Sequence, residues 1–434
     1  MPNLTTFLSE NQTAQQALEA IKTLISEIRD YGFVRIFTLP TFEELIAASQ
    51  VQQVMENNDI QALVDIYPFN YPPEDSPTIV IGTRIGKRRA PTIEVSPGPL
   101  LMEERRVSFW INNGSISSII IKVLEEMFVV KEEYKIYSLI AAYAGDRGDV
   151  GSGLDGLIVE DLEIAGIVEK SFTFSLYKWK SLPLIHSVAY TAVPYFHGLL
   201  ASPEKVLNFL KASGIDIEET ERLLDMMTEE EKLVNTLKAL TEYLNNVSKR
   251  KREVTEILYE GVEVKEDATK NFDVPSILMH GFKQGSLIFL GVSDISLYHV
   301  VSLITLGKYY YKAEDLYLKT ITFASSELPA ALAVPKSYTV SGRRGTLLFL
   351  PEKPPSPTLL YRMVRDFGIG REAAHVVGFN ASSKTMVPID SLKRASLDVI
   401  GIIRRSISKG WKIDGGCLVK EDEDGREFKE LLSS

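Results

Sequence analysis

The sequence predicts an α/β protein in which a parallel sheet flanked by helices is followed by a helical connector and a second α/β domain. Short apolar runs at 33–37, 78–81 and 92–95 alternate with helical patterns at 42–55 and 115–128. Strands that are apolar on both faces and are separated by helices are typical of a parallel sheet buried between helical layers. A length of 434 residues is enough for two or three domains of about 150 residues each.

The other elements are predicted from the same periodicities. Apolar residues at three- and four-residue steps predict a helix over 13–29. The apolar run at 137–144, which we expect to be a further strand, ends in a loop rich in Gly and Asp. Helical patterns follow at 203–259, 359–367 and 392–409, and strand-like runs at 286–292 and 345–350. Shifts in composition predict a first domain at 1–205, a connector at 206–265 and a second domain at 266–434.

Charge, cysteine and histidine content exclude several classes of protein. The net charge of −10 argues against a surface that binds polyanions throughout. A single cysteine, Cys417, excludes a disulfide framework and indicates a reducing compartment. None of the five histidines precedes His186, so a metal centre built from the first part of the chain would lack imidazole ligands. The sequence has no leader pattern and no apolar run of about 18 residues, and we expect a cytoplasmic protein with no membrane partner.

Two local motifs allow more than one interpretation. The segment 151–156 matches G-x-G-x-x-G, but it lies deep in the domain and lacks the acid that follows a dinucleotide loop, so we interpret it as a turn. A loop rich in Pro and Gly carries Arg84, Lys87, Arg88 and Arg89. These cations form either a solvated loop or a contact with phosphates or an acidic partner, because clustered like charges repel one another unless an anion is near.

A family resemblance is carried by residues 142–210. The loop Gly145-Asp146-Arg147-Gly148-Asp149 follows the apolar run, and a later segment reads Pro183-Leu184-Ile185-His186 and continues to Pro194 and Gly198. These motifs resemble the archaeal RecJ-like branch of the DHH phosphoesterase superfamily, in which a G-D-x-G-D-type loop ends a strand. The resemblance implies a DHH-type domain, a helical connector and a DHHA1-like domain that ends in a Gly-Gly motif, here Gly415-Gly416.

The metal-binding motifs of active relatives are degenerate in this sequence. Active members bind two metals, usually Mn²⁺, through carboxylates and histidines, and the resemblance places these motif positions at Leu39, Thr41, Glu43, Gly82, Glu94 and Asp149. Two divalent cations need several anionic ligands; Glu43 and Asp149 are too few, and Arg84 would repel a metal. The histidine that grips substrate phosphate after the Gly-Gly motif is replaced by Cys417. We therefore expect no bound metal, no cofactor and no catalytic residue.

The loss of these ligands resembles the catalytically inactive branch of the superfamily, the homologues of cell division control protein 45. The resemblance implies a non-catalytic DNA replication factor, a nucleoid-associated scaffold subunit that binds the GINS complex and supports the MCM helicase at the replication fork. Single-stranded DNA is a further ligand, with contacts to DNA or a partner expected at Arg84, Lys87, Arg88, Arg89, Gly415 and Gly416. The alternative is a Mn-dependent, single-strand-specific 5′-exonuclease or phosphodiesterase, in which Glu43 and Asp149 would converge with a third ligand.

Overall fold

A computed structural model describes residues 4–8, 11–145, 150–216, 218, 230–272, 274–295, 306–395 and 398–433. The chain forms two compact units. The first comprises Met1–Glu169, Lys265–Val274 and Ser296–Gly307, and the second comprises the remainder. The predicted α/β class is confirmed, whereas the domain boundaries near residues 205 and 265 remain a prediction.

The first unit is built on a six-stranded sheet with the order β2-β1-β3-β4-β6-β5. All neighbouring strands are parallel except β5, which is antiparallel to β6. The predicted strands at 33–37, 78–81 and 92–95 correspond to β1, β3 and β4, so the sequence located the centre of this sheet. The strands are β1 Phe33–Thr38, β2 Gln61–Ile66, β3 Thr78–Ile81, β4 Thr92–Val95, β5 Leu101–Glu103 and β6 Arg106–Phe109.

Helices complete the first unit. They are α1 Leu4–Phe7, α2 Gln12–Tyr31, α3 Phe42–Glu56, α4 Ile116–Glu125, α5 Glu132–Ala144, α6 Gly153–Ile164 and a short helix at Glu266–Asn271. The expected strand at 137–144 is wrong, because these residues belong to α5. Ile136, Leu139 and Ile140 are fully buried, and a helix enclosed by neighbours shows an apolar run much like that of a buried strand.

The second unit contains a two-stranded and a six-stranded sheet. The larger sheet has the order β13-β14-β12-β11-β10-β9, and β10 and β11 are its parallel pair. Its strands and those of the small sheet are β7 Val168–Phe174, β8 Leu258–Val264, β9 Lys336–Val340, β10 Arg343–Leu350, β11 His375–Ala381, β12 Lys384–Pro388, β13 Lys412–Asp414 and β14 Cys417–Glu421. The helices are α7 Leu184–Ala189, α8 Pro203–Ala212, α9 Glu230–Val247, α10 Phe282–Leu290, α11 Val292–Ile295, α12 Leu306–Ala333, α13 Pro357–Phe367, α14 Ile389–Arg394, α15 Val399–Ser408 and α16 Arg426–Ser433.

Two further predictions are corrected in this unit. The strand-like run at 286–292 is wrong, because it lies in α10 and the start of α11. Residues 286–290 are all buried, so this stretch has no exposed polar face at three- and four-residue steps that would mark it as a helix. The single helix predicted at 392–409 is divided into α14 and α15, and Asp398 caps the second of these by accepting a hydrogen bond from the backbone N–H of Gly401 at 3.0 Å.

Candidate functional site

The first predicted motif lies at the carboxyl end of β1, the side of a parallel sheet at which ligands commonly bind. Leu39 is buried, and Thr41 immediately precedes α3. The buried Glu43 accepts a hydrogen bond through Oε1 from the backbone N–H of Ile116 at 2.9 Å. Ile116 begins α4, so this carboxylate faces the positive end of a helix dipole. Its Oε2 lies beside Gly145, where a Cβ would be 3.1 Å away.

A second acid, Glu44, fills the space at the end of β3. It is fully buried and accepts a hydrogen bond from the Thr41 hydroxyl. A Cβ on Gly82 would lie 2.5 Å from the Glu44 Cγ and 2.9 Å from its Oε1, and Gly82 has φ +79°. The motif position that follows β3 is therefore a glycine without a side chain, and the Glu44 side chain of α3 occupies the space beside it. Glu44 was not predicted as part of the site, and the one sequence signal for it was the glycine at the motif position after β3.

The third motif position, Glu94, is neutralised within the sheet. Its side chain is fully buried, and Oε2 accepts hydrogen bonds from the Arg106 guanidinium at 2.9 Å and from the Ser108 hydroxyl. Oε1 accepts a hydrogen bond from the backbone N–H of Ile85 at 2.9 Å. Arg106 and Ser108 both lie on the neighbouring strand β6. Together with the backbone N–H of Ile85, they give the Glu94 carboxylate three protein donors.

The fourth motif position, Asp149, lies outside the described residues. A different acid, Asp155, is buried in the first turn of α6 and accepts a hydrogen bond from the Ser115 hydroxyl at 2.7 Å. The same Ser115 oxygen accepts a hydrogen bond from the backbone N–H of Ser118 at 3.1 Å, and so caps α4. Asp155 therefore joins the start of α6 to the start of α4.

The described residues at these positions do not fit a two-metal centre. Leu39 and Gly82 have no side-chain ligand atom, and Glu43 and Glu94 are already held by N–H and guanidinium donors. In the described part of the chain, no group of three or more His, Cys, Asp or Glu side chains could hold a metal ion. The structure brings Glu43, Glu44 and Gly82 together at the carboxyl ends of β1 and β3. Both carboxylates there accept hydrogen bonds from donors within the protein.

The loop that carries Arg84, Lys87, Arg88 and Arg89 has two cations that donate hydrogen bonds within the protein and two that are exposed. Arg84 donates hydrogen bonds to the Pro99 carbonyl at 2.6 Å and to the Ser96 hydroxyl at 3.3 Å. Arg88 is buried and donates to two proline carbonyls, those of residues 72 and 73. The side chains of Lys87 and Arg89 are exposed. Of the four predicted contact cations in this loop, Lys87 and Arg89 are therefore the two that are exposed to solvent.

In the second unit, the Gly-Gly motif packs against Asp294, an acid that was not predicted from the sequence. Gly415 has φ +58°, and a Cβ there would lie 2.8 Å from the Asp294 Cα. Asp294 accepts hydrogen bonds from the Ser356 hydroxyl at 2.5 Å, the Thr358 hydroxyl at 2.7 Å and the Thr358 backbone N–H at 3.1 Å. A Cβ at Gly416 would lie 3.5 Å from the Asp294 Oδ1. The turn thus packs closely against the Asp294 carboxylate, which accepts hydrogen bonds from Ser356 and Thr358 at the start of α13.

This carboxylate disfavours a phosphate at the Gly-Gly turn. Burial raises the pKa of Asp294 to about 6, although the hydrogen bonds from Ser356 and Thr358 lower it. At neutral pH the group is therefore largely ionised and repels a second anion. Cys417, at the position of the family's histidine, is buried, and burial raises its pKa. It is a neutral thiol that cannot supply the positive charge of a histidine.

The first unit is thus an α/β fold in which the described acids at and beside the predicted metal motifs are bound within the protein. The chain has a fold similar to that of CDC45: the crystal structure of CDC45 from Entamoeba histolytica matches 97% of this chain and 98% of its own, with a TM-score of 0.58 and 8% identity. The exonuclease RecJ bound to manganese matches 96% of this chain and 93% of its own, with a TM-score of 0.46 and 11% identity. RecJ with Mn²⁺ from Thermus thermophilus matches 96% of this chain and 54% of its own, with a TM-score of 0.36 and 12% identity.

The predicted resemblance to CDC45 is confirmed at the level of the fold. No protein-family model and no curated protein matches the sequence. Among the described helices, none combines the length and the apolar character needed to cross a membrane.

Proposed function

We propose that this chain is a non-catalytic, RecJ-like DNA replication factor that binds the GINS complex and supports the MCM helicase at the replication fork. It would act in the cytoplasm at the nucleoid, with single-stranded DNA as a further ligand. The observation that carries the proposal is the internal binding of Glu43, Glu44 and Glu94 in a chain whose fold is similar to that of CDC45.

The charge of the chain supports a role that depends on protein partners. A protein with a net charge of −10 gains little from the long-range attraction that brings basic proteins to DNA. Only Lys87 and Arg89 of the predicted contact loop are exposed, and the Gly-Gly turn faces Asp294. Weak DNA binding by the isolated chain, and recruitment to DNA through partners, follow from this distribution.

Co-purification with GINS tests the proposal. We expect the full-length chain, co-expressed with the GINS subunits of its own source, to elute with them as one complex in size-exclusion chromatography. A folded chain, judged by circular dichroism, that elutes apart from GINS at micromolar concentration would contradict the proposal.

A further inference from the structure

The surface of the second unit carries a local concentration of positive charge. Between residues 393 and 412 the sequence has six Lys or Arg residues and one acid, although the net charge of the chain is −10. Four of these cations are exposed on α15, in the turn that follows it and at the start of β13: Arg404, Arg405, Lys409 and Lys412. We call these four residues the basic ridge.

The packing of α15 explains why the basic ridge faces outward. The helix buries Ile402, Ile403 and Ser406 in the unit, which leaves the opposite face exposed. Within the described part of the chain, Arg404 and Arg405 form no ion pair. Cations near a helix C-terminus interact favourably with its dipole, by about 0.3–1 kcal/mol each. This contribution accounts for cations at the end of α15, but it does not account for an exposed aliphatic side chain beside them.

The class of partner is indicated by Ile407, which follows Arg404 by three residues and therefore lies next to it on the surface of α15. Its side chain is 37% exposed, whereas the nearby Trp411 is only 3% exposed. Surfaces that bind single-stranded nucleic acid combine cations with exposed aromatic side chains, on which bases stack. An exposed aliphatic side chain among arginines instead complements a protein segment in which carboxylates flank an apolar residue, since arginine pairs well with carboxylates.

We propose that the basic ridge binds an acidic amphipathic segment of a partner protein. Its carboxylates would contact Arg404, Arg405 and Lys412, and its apolar side chain would contact Ile407. Such a surface suits a scaffold that joins several proteins, and in that sense it rests on the proposed function. Its test uses no GINS, so the two proposals can fail separately.

Fluorescence anisotropy with a labelled model peptide tests the basic ridge on the full-length chain. The peptide has Glu and Leu residues placed to form an acidic amphipathic helix, and a second peptide carries Gln in place of Glu. We expect the acidic peptide alone to bind, with affinity falling as salt rises from about 50 to about 200 mM because charge screening increases. Arg404→Glu/Arg405→Glu should weaken binding at least about tenfold, and Ile407→Ser should weaken it by a smaller factor.

Matched variants and a DNA probe decide the outcome. Lys205→Glu/Lys211→Glu makes the same charge change on exposed residues of α8 and should leave binding unchanged. If Arg404→Glu/Arg405→Glu lowers the α-helical signal, Arg404→Gln/Arg405→Gln replaces it. The proposal is overturned if the acidic peptide does not bind, or if both double variants weaken it equally. It is also overturned if Ile407→Ser has no effect while the basic-ridge variant abolishes binding of a labelled oligo-dT strand, because the surface then binds phosphates.

Discussion

Replacing Arg106 with Met is expected to destabilise the first unit by about 3 kcal/mol, because the Glu94 carboxylate then stays buried without its cation. Breaking a buried ion pair from one side costs about 3–5 kcal/mol, and the donors that Glu94 keeps, Ser108 and the backbone of Ile85, place the effect at the lower end. Guanidinium denaturation followed by circular dichroism measures the change. Glu94→Gln should reduce the penalty of the Arg106 substitution, since the remaining group is then neutral.

The adjacent Arg105 provides the control for this prediction. It pairs with Glu27 at 3.0 Å on the surface, where Arg105 is exposed and Glu27 is half-exposed, and surface pairs contribute little to stability. Arg105→Met should therefore leave the transition unchanged. Equal effects of the two substitutions would show that Glu94 does not depend on Arg106.

Replacing Gly82 with Ala is expected to destabilise the first unit by about 2–5 kcal/mol. A non-glycine residue in the left-handed region costs about 1–2 kcal/mol, and overpacking a core adds about 1–3 kcal/mol. The second contribution arises because the new Cβ would lie 2.5 Å from the Glu44 Cγ. Glu44→Ala removes that atom, so the double variant should be more stable than the sum of the two single effects predicts.

Gly86 separates the backbone effect from the steric one. Its φ is also +79°, but a Cβ there would meet nothing within 4 Å. Gly86→Ala should therefore show only the backbone cost. If Gly82→Ala and Gly86→Ala destabilise equally, and Glu44→Ala does not rescue the former, then Glu44 does not fill the end of β3.

The sequence predicted the centre of the first sheet because β1, β3 and β4 are short apolar runs bounded by Gly or Pro, although no helix lies between β3 and β4. It misassigned 137–144 and 286–292 because both are helices with few exposed positions, and enclosure removes the polar face that identifies a helix. A strand and a fully buried helix differ in such runs mainly by length and flanking residues.

The candidate site was predicted in part. The resemblance located Glu43, Gly82 and Glu94 at neighbouring strand ends, but it gave no indication of what binds their carboxylates. Glu44 was missed because the direction of its side chain depends on how α3 packs over β3. Asp294 was missed because it lies far from Gly415 in sequence, and only the fold brings the two together.

The central claim is that the carboxylates of the former metal motifs serve the fold and not catalysis. It is tested most directly by incubating the full-length chain with Mn²⁺ and 5′-labelled single-stranded DNA or a dinucleotide, and measuring product formation against a control without protein. We expect no hydrolysis above that control, with wild type and Asp149→Ala indistinguishable. Turnover by the wild type that Asp149→Ala or Glu43→Gln abolishes would contradict the claim and favour the Mn-dependent nuclease.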